Sequence, residues 1–298
     1  MDADAILDRR RLKRRLTFWR IAAALAVAAL VALGIGKYTG RDKDHVARLW
    51  IDGFIAEDRD RDEAIDKLVK KKRAKAVIVR INSPGGTTAG SEELYNGLRR
   101  IAEKKPVVAV IGTIGASGGY IVAIAADHII ARETSLTGSI GVLFQSAEFT
   151  GLMEKLGIVP FSLKSSPLKG QPSPIEPMTD EVRQALGALL DDSYVWFKTL
   201  VRNRRQLDEA ATRHAADGRV FTGRQAVKNG LVDALGDERA ARTWLKEKHD
   251  IPKKLPLVDV KWGKEADYIA RLLDSLGGKL FKNERLTLDG LISVWHPQ

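Results

Sequence analysis

The stretch "PVVAVIGTIGASGGYIVAIAAD", residues 106–127, predicts a strand and a helix joined by a turn that is rich in glycine. Residues 106–114 are mostly β-branched and apolar, which is typical of a strand that is buried on both faces of a parallel sheet. The earlier run "AKAVIVRI", residues 74–81, has the same character. Helical patterns follow both runs, and this alternation predicts an α/β fold with a mostly parallel sheet.

The predicted elements extend this alternation along the chain. The glycines of "NSPGG" (82–86) are expected to end the second strand, and Ser91 is expected to cap the helix that follows. A Pro- and Ser-rich segment, residues 157–177, predicts a long surface excursion. The predicted strands are 46–55, 74–81, 106–114 and 128–133, and the predicted helices are 91–105, 117–127, 179–205 and 264–282, with a further charged helix within 57–74.

The composition excludes several kinds of site. The 298 residues include no cysteine, which excludes disulfides, thiolate zinc sites and a cysteine nucleophile. The formal net charge is +11, but more than half of it lies in residues 1–48, which hold eleven Lys or Arg and five Asp. A nucleic-acid-binding protein concentrates positive charge on its folded domain. We therefore expect no nucleic-acid partner.

The apolar run "LTFWRIAAALAVAALVALGIG", residues 16–36, predicts a single membrane-spanning helix. Arg20 is its only charged residue, and a helix of this length spans about 31 Å, close to the thickness of the bilayer core. The basic segment "RRRLKRR" (9–15) precedes it, and such segments stay on the cytoplasmic side. A cleaved signal peptide is the alternative, although no small-x-small cleavage site closes the run. A retained anchor places the rest of the chain outside the cytoplasm.

Two glycine-rich turns are the candidate catalytic elements. Ser117 lies between glycines where a strand is expected to give way to a helix, and "INSPGG" ends the preceding strand. The ends of adjacent parallel strands meet at one edge of the sheet, where ligands bind. The backbone N–H groups of Gly86 and Gly118 can therefore converge beside Ser117 and form an oxyanion hole. The simpler alternative is a pair of tight turns with a capping serine.

The sequence alone does not identify a base for Ser117. His128 is expected to begin a strand, and the other candidate histidines lie in charged helical stretches or in the terminal tail (His214, His249, His296). Each is expected to be a structural or surface residue. A lysine can act as a base where burial lowers its pKa, but lysines are too numerous here for composition to select one.

Four motifs follow one another along residues 46–248: "VRINSPGG" (79–86), "GASGGYIVAIAADHIIA" (115–131), "SLTGSIGV" (135–142) and "GRVFTGRQAVKNGLVDALG" (218–236). In these motifs the chain resembles signal peptide peptidase A, the membrane-anchored serine–lysine peptidases of bacteria (peptidase family S49). The resemblance implies a crotonase-like, ClpP-like α/β fold, with Ser117 as nucleophile and Gly86 and Gly118 as the oxyanion hole. It further implies that Ser139 hydrogen-bonds the catalytic lysine, and it implies no cofactor and no metal.

The same resemblance assigns the general base to Lys169. This lysine lies in "PLKGQPSPIEPMT" (167–179), four residues before Ser173. The family has a Gly-x-Tyr-Lys context at this point, and here Leu168 replaces the aromatic residue and Ser166 the glycine. Lys164 is the alternative base, but its spacing does not fit the pattern.

The resemblance also implies a substrate and an assembly. The implied substrate is a cleaved signal peptide or another short apolar peptide, and the N-terminal helix would contact membrane lipid. A chain with a single catalytic unit suggests a closed homo-oligomeric ring of about eight units, with each Ser–Lys dyad shared between adjacent protomers. Two alternatives are a crotonase-like acyl-CoA enzyme and a catalytically inactive membrane scaffold of the same fold.

These predictions divide the chain into five parts. They are a cytoplasmic tail (1–15), the anchor (16–36), a linker (37–45), the S49 peptidase domain (46–250) and a C-terminal extension (251–298). The predicted location is the bacterial inner membrane, with the N-terminus in the cytoplasm and the catalytic domain periplasmic or extracellular.

The predicted orientation can be tested with a reporter fused after Gln298. A reporter enzyme that is active only in the periplasm should be active in this fusion, because the basic flank holds residues 1–15 in the cytoplasm. A reporter that works only in the cytoplasm serves as the control. Activity of the cytoplasmic reporter alone would contradict an exported catalytic domain.

Overall fold

A computed structural model of the protein describes residues 15–25, 43–262 and 292–294, in two compact units divided after Asp44. In the first unit, residues 15–25 form helix α1. Neither α1 nor any other described helix combines the length and the apolar character needed to cross a bilayer. Residues 26–36 of the predicted anchor lie outside the described residues, as does the predicted helix 264–282, so both remain predictions.

The second unit contains one sheet with helices on its faces. The described strands are β1 (His45–Ile55), β2 (Ala74–Thr87), β3 (Val107–Ala116), β4 (His128–Ala131), β5 (Leu136–Gly138), β6 (Val220–Thr222), β7 (Ala234–Leu235), β8 (Leu257–Asp259) and β9 (Ile292–Val294). The helices are α2 (Arg59–Lys70), α3 (Thr88–Ala102), α4 (Gly118–Ala123), α5 (Thr150–Lys155), α6 (Asp180–Arg205), α7 (Glu209–Ala215), α8 (Gly223–Lys228) and α9 (Glu238–His249).

Parallel pairing dominates the sheet, which confirms the predicted α/β class. The strand order is β6-β5-β3-β2-β1-β8, with β4 and β7 branching from β3 and with β9 on β2. Only β5–β6 and β2–β9 are antiparallel among the described pairs. Two of the strands, β8 and β9, come from the predicted C-terminal extension.

Strand β3 changes its partner along its length and so turns toward the candidate site. Its first half, as far as Ile111, pairs with β4, whereas Ile114–Ala116 pair with β5. At the bend, the Ser135 hydroxyl donates a hydrogen bond to the carbonyl of Gly112. The last residues of β3 therefore run beside β5 instead of β4 and lead into Ser117.

Both faces of the central strands are buried, which explains their continuous apolar runs. On one face, Val77 and Val79 pack with the residues of α3 and α4 in the larger core cluster. On the other face, Ile78 and Val110 pack against Leu245 of α9. Alternate side chains of one strand thus pack into two different hydrophobic clusters, one on each face of the sheet. This arrangement excludes polar side chains from the middle of the sheet.

The predicted break at "NSPGG" is wrong. Strand β2 continues through it to Thr87, because β1 remains paired with Gly85 and Gly86 and holds the glycines extended. The local preference of Pro and Gly for a turn is thus overridden by pairing with a neighbouring strand. The Ser91 cap is also wrong, since Thr87 caps α3 by accepting a hydrogen bond from the N–H of Gly90.

The segment that was predicted to be a surface excursion is irregular and largely exposed. Helix α5 ends at Lys155, and residues 156–178 after it contain turns but neither helix nor strand. Helix α6 then begins after Thr179, whose hydroxyl accepts a hydrogen bond from the N–H of Val182. The predicted cap and the predicted end of this helix are both confirmed.

Tyr120 ties the helix after Ser117 to a distant loop, and its replacement tests the packing of this region. The fully buried phenol donates a hydrogen bond of 2.8 Å to the carbonyl of Leu231, and burial raises the pKa of Tyr120 above its ordinary value. We expect Tyr120→Phe to lower the free energy of unfolding by about 1–2 kcal/mol, because the Leu231 carbonyl then lacks a partner. Urea unfolding measures this change.

The matched control for this prediction is Tyr194→Phe. The Tyr194 hydroxyl donates to the carbonyl of Ala216 in the same way, but the side chain is only partly buried. Water can replace that bond, so the loss should be smaller. An equal loss in both variants would show that burial does not set the strength of the Tyr120 contact.

Candidate active site

Ser117 occupies the turn between β3 and α4 in a backbone conformation that is unfavourable for serine. Its φ is 55° and its ψ is −120°, and it is 1% exposed. Its N–H donates to the carbonyl of Gly138, and its carbonyl accepts from the N–H groups of Tyr120 and Ile121. The side chain forms no hydrogen bond that caps α4. The alternative of an ordinary capping serine is therefore wrong, and the strain is of the kind that collects at functional sites.

Gly86 in strand β2 and Gly118 at the start of α4 lie close together. A Cβ atom on Gly118 would lie 2.3 Å from the Ser91 hydroxyl oxygen and 3.0 Å from the backbone nitrogen of Gly86. A Cβ on Gly86 would lie 1.8 Å from the carbonyl oxygen of Ile55. Glycine is thus required at both positions by close approach of backbone atoms. The structure brings together the two residues that were predicted to form the oxyanion hole.

The edge of β2 beside these turns is paired with an extended segment. Pairing between β2 and β3 ends at Ser83 and Gly115, whereas β1 follows the other edge of β2 as far as Gly86. Strand β9 pairs antiparallel with Gly85–Thr87. Because β1 holds one edge, β9 must lie on the edge that β3 leaves, toward the Ser117 turn.

Ser139 lies directly beside Ser117. It follows Gly138, whose carbonyl accepts the Ser117 N–H, and it also has a positive φ, of 50°. Its own N–H donates to the carbonyl of Arg219, and the residue is 8% exposed. Two serines with strained backbones thus stand next to each other at the ends of β3 and β5.

Lys169 differs from these buried serines in its surroundings. It is exposed in a turn where its N–H donates to the carbonyl of Ser166. Within the described residues its side chain makes no hydrogen bond or ion pair, and the hydrogen bonds of residues 144–178 join that segment to itself. Among the described residues, no hydrogen bond therefore joins the predicted nucleophile to the predicted base.

The alternative base, Lys164, is engaged in an ion pair. Its ammonium group donates to the carboxylate of Glu176, which also accepts from Ser162 and Gln171. The hydrogen bond from Lys164, followed by that from Ser162, holds the pKa of Glu176 below its ordinary value. Lys164 is thus held within its own segment by its ion pair with Glu176.

The candidate histidines that the structure describes contact aromatic rings. His128 stacks on Trp244 at 4.7 Å, and burial lowers the pKa of its imidazole. His249 lies 4.8 Å from the same ring, and His214 lies near Phe221. These positions agree with their predicted structural roles, while His296 lies outside the described residues.

Two buried serines next to the glycine turns are absent from the predicted site. Ser83 donates to the carbonyl of Gly53 and accepts from the N–H of Gly85, whereas Ser91 donates to the carbonyl of Thr87. Both are completely buried. The only sequence signal for Ser83 is its place before Pro-Gly-Gly, which local rules interpret as a turn.

The strain at Ser117 predicts an unusual order of stabilities. Ser117→Gly and Ser117→Ala both remove the hydroxyl, but only glycine adopts this backbone conformation without strain. We expect the glycine variant to be more stable than the alanine variant by about 1 kcal/mol. Thermal or urea unfolding of the two variants measures the difference. Greater stability of the alanine variant, as in an ordinary helix, would contradict the strained turn.

Comparison with known proteins places the chain in a family. The sequence profile of peptidase family S49 matches residues 99–252, just over half of the chain. A putative protease of Synechocystis sp. is 43% identical over 178 residues, which cover 60% of this chain and 64% of that protein. A putative protease of Methanocaldococcus jannaschii is 39% identical over 177 residues, which cover 59% of this chain and 57% of that protein. The putative signal peptide peptidase SppA of Enterococcus faecium is 35% identical over 184 residues, which cover 61% and 54%.

The match thus spans between 54% and 64% of these curated relatives. The region that the family profile matches includes Ser117, Ser139 and Lys169. In this structure the region belongs to the parallel-rich α/β fold described above. The chain belongs to peptidase family S49.

Proposed function

We propose that this protein is a serine endopeptidase that hydrolyses short apolar peptides, such as cleaved signal peptides, at the outer face of the bacterial inner membrane. Ser117 is the nucleophile, and the helix predicted at residues 16–36 is the anchor. The observation that carries the proposal is the close approach of Gly86, in β2, to Gly118, at the start of α4 and next to the strained, buried Ser117. Membership of a peptidase family supports the same reaction.

The edge of β2 supports binding of the substrate as an extended strand. Strand β9 already pairs antiparallel with Gly85–Thr87 on the edge toward Ser117. A peptide that takes this pairing is held by main-chain hydrogen bonds, which do not depend on its side chains. Its carbonyl group would then lie close to the Gly86 N–H group and to Ser117. This mode of binding suits a class of substrates that share apolar character but no fixed sequence.

In the proposed reaction, Ser117 Oγ attacks the peptide carbonyl carbon while neutral Lys169 Nζ takes the hydroxyl proton. The N–H groups of Gly86 and Gly118 stabilise the tetrahedral oxyanion. The C–N bond then breaks, and the lysine ammonium group gives its proton to the leaving amine. Lys169 next deprotonates a water molecule, which hydrolyses the acyl-enzyme and regenerates Ser117. Ser139, beside Ser117, orients the lysine amine.

We propose that Lys169 acts on Ser117 of an adjacent protomer. Ser117 is buried and Lys169 is exposed, and the hydrogen bonds of the described segment that bears Lys169 are made within that segment. Val159, Phe161 and Leu163 of this segment are each more than 80% exposed, at alternate positions of an irregular stretch. An exposed apolar surface of this kind is typical of a protein interface. A closed ring of about eight protomers would bury it and complete each dyad.

The shared dyad predicts complementation between two inactive variants. Ser117→Ala lacks the nucleophile and Lys169→Ala lacks the base, so each alone should be inactive on an apolar peptide substrate. After the two are mixed and reassembled in equal amounts, one interface in four pairs an intact serine with an intact lysine, which gives about a quarter of the wild-type rate. Peptide cleavage by the reassembled mixture, assayed without coenzyme A, measures this recovery.

Lys164→Ala is the matched control, because it removes a lysine from the same segment and should remain active alone. Mixed oligomers that form but stay inactive would contradict a shared Ser117–Lys169 dyad. Wild-type protein that cleaves no peptide, or a Ser117→Ala variant with unchanged activity, would contradict the peptidase itself. A reaction that requires an acyl-CoA substrate would instead favour the crotonase-like alternative.

A further inference from the structure

The strand that carries Gly86 contains a bulge immediately before the two glycines. Asp52 pairs with Asn82 and Phe54 pairs with Gly85, so β1 has one residue between these pairs where β2 has two, Ser83 and Pro84. Such a bulge interrupts the ladder of hydrogen bonds, and proline supplies no N–H group to restore it. Backbone groups next to the bulge therefore need other partners.

The hydroxyl group of Ser83 hydrogen-bonds one backbone group of each strand, the Gly53 carbonyl of β1 and the Gly85 N–H of β2. Its Oγ donates to the carbonyl oxygen of Gly53 at 2.6 Å and accepts from the N–H of Gly85 at 3.1 Å. Ser83 is completely buried. The hydrogen bond between the Gly85 N–H and this hydroxyl is buried, so water cannot easily replace the hydroxyl there, and its removal leaves the Gly85 N–H without this partner. One side-chain oxygen thus bridges β1 and β2 across the bulge.

The peptide plane that carries the Gly86 N–H depends on this bridge. Gly85 has a φ of 120°, a conformation that is open to glycine and to few other residues. Two consecutive glycines lack the side chains that restrict rotation of a peptide plane. Gly86 itself lies against the Ile55 carbonyl, and its nitrogen faces Gly118. The direction of the Gly86 N–H is therefore set by the pairing of Gly86 with β1 and β9 and by the Ser83–Gly85 hydrogen bond one residue earlier.

Ser83 also contacts the turn that follows the nucleophile. A Cβ atom on Gly119 would lie 2.6 Å from the carbonyl oxygen of Ser83. The residue therefore touches both halves of the predicted oxyanion hole, through its hydroxyl on one side and its carbonyl on the other. A displacement of Ser83 would change the distance between β2, which carries Gly86, and the start of α4, which carries Gly118.

We infer that Ser83 is a positioning residue of the oxyanion hole, which holds the Gly86 N–H in the direction that stabilises the tetrahedral intermediate. The inference rests on the proposed peptidase function. Ser83 acts through Gly85 and does not touch the substrate. Its loss should weaken binding of the transition state and leave binding of the substrate itself almost unchanged.

The test is Ser83→Ala in the full-length protein. We expect kcat for an apolar peptide to fall by about tenfold or more, as when an oxyanion donor is lost, while KM changes by less than about twofold. The affinity for a peptide boronic acid, which forms a tetrahedral adduct with serine, should fall in the same proportion as kcat/KM. The affinity for the corresponding peptide acid, which forms no adduct, should not change.

Ser135→Ala is the matched control for a purely structural effect. Ser135 is also a buried serine, 2% exposed, whose hydroxyl donates to a backbone carbonyl, that of Gly112, and accepts a backbone N–H, that of Arg132. It bridges the bend of β3, away from Gly86. We expect a comparable fall in Tm with kcat within about twofold of wild type. An equal fall of kcat in both variants, or an unchanged kcat in Ser83→Ala, would overturn the inference.

Hydrogen exchange of the segment 82–90 separates this inference from the proposed reaction. Ser83→Ala should speed exchange there, because the Gly85 amide loses its acceptor, whereas Ser135→Ala should not. Faster exchange in a protein without Ser117-dependent activity would refute the reaction and leave the structural role of Ser83. Unchanged exchange would refute the role of Ser83 whatever the activity. Should Ser83→Ala fail to fold, Ser83→Cys retains a weaker donor and acceptor, and smaller changes in the same direction are expected.

Discussion

The contact between the Gly118 turn and the backbone nitrogen of Gly86 is the constraint on which the candidate site depends. It exists because β2 and β3 are parallel neighbours whose carboxyl ends meet at one edge of the sheet. The approach is too close for any Cβ atom, so both positions require glycine. In the proposed function, the backbone N–H groups of these two glycines form the oxyanion hole, and such a hole stabilises negative charge without a metal or a charged side chain.

The same edge stores backbone strain at the two serines. Ser117 and Ser139 both have positive φ, and the hydrogen bond from the Ser117 N–H to the Gly138 carbonyl holds their turns together. Strain of this kind persists only where the surrounding structure determines the conformation more strongly than the residue's own preference. Here the buried helix α4, anchored by the Tyr120 hydrogen bond, and strand β5 supply that restraint. The surrounding contacts thus hold both serines in backbone conformations that lower the stability of the fold.

The segment that bears Lys169 has the opposite character. Its polar contacts are internal and centre on the Glu176 carboxylate, while its apolar side chains at 159, 161 and 163 face outward. The proposed nucleophile thus lies on the sheet, whereas the proposed base lies on a segment with an exposed apolar surface. A neighbouring protomer is the proposed occupant of that surface. This division would make peptide hydrolysis dependent on assembly, so that a free protomer carries an incomplete dyad.

Much of this protein follows from its sequence, because apolar runs and glycine-rich turns are local signals. They predict the α/β class, the strands β1 to β3, helix α6 with its Thr179 cap, and the meeting of Gly86, Gly118 and Ser117 at one edge. The sequence gives the wrong end for β2, because pairing with β1 keeps "NSPGG" extended against its local preference for a turn. It also does not reveal the bridge from Ser83 to Gly53 or the internal hydrogen bonding of the segment that bears Lys169. These features depend on contacts between residues that are distant along the chain, and only the tertiary structure determines them.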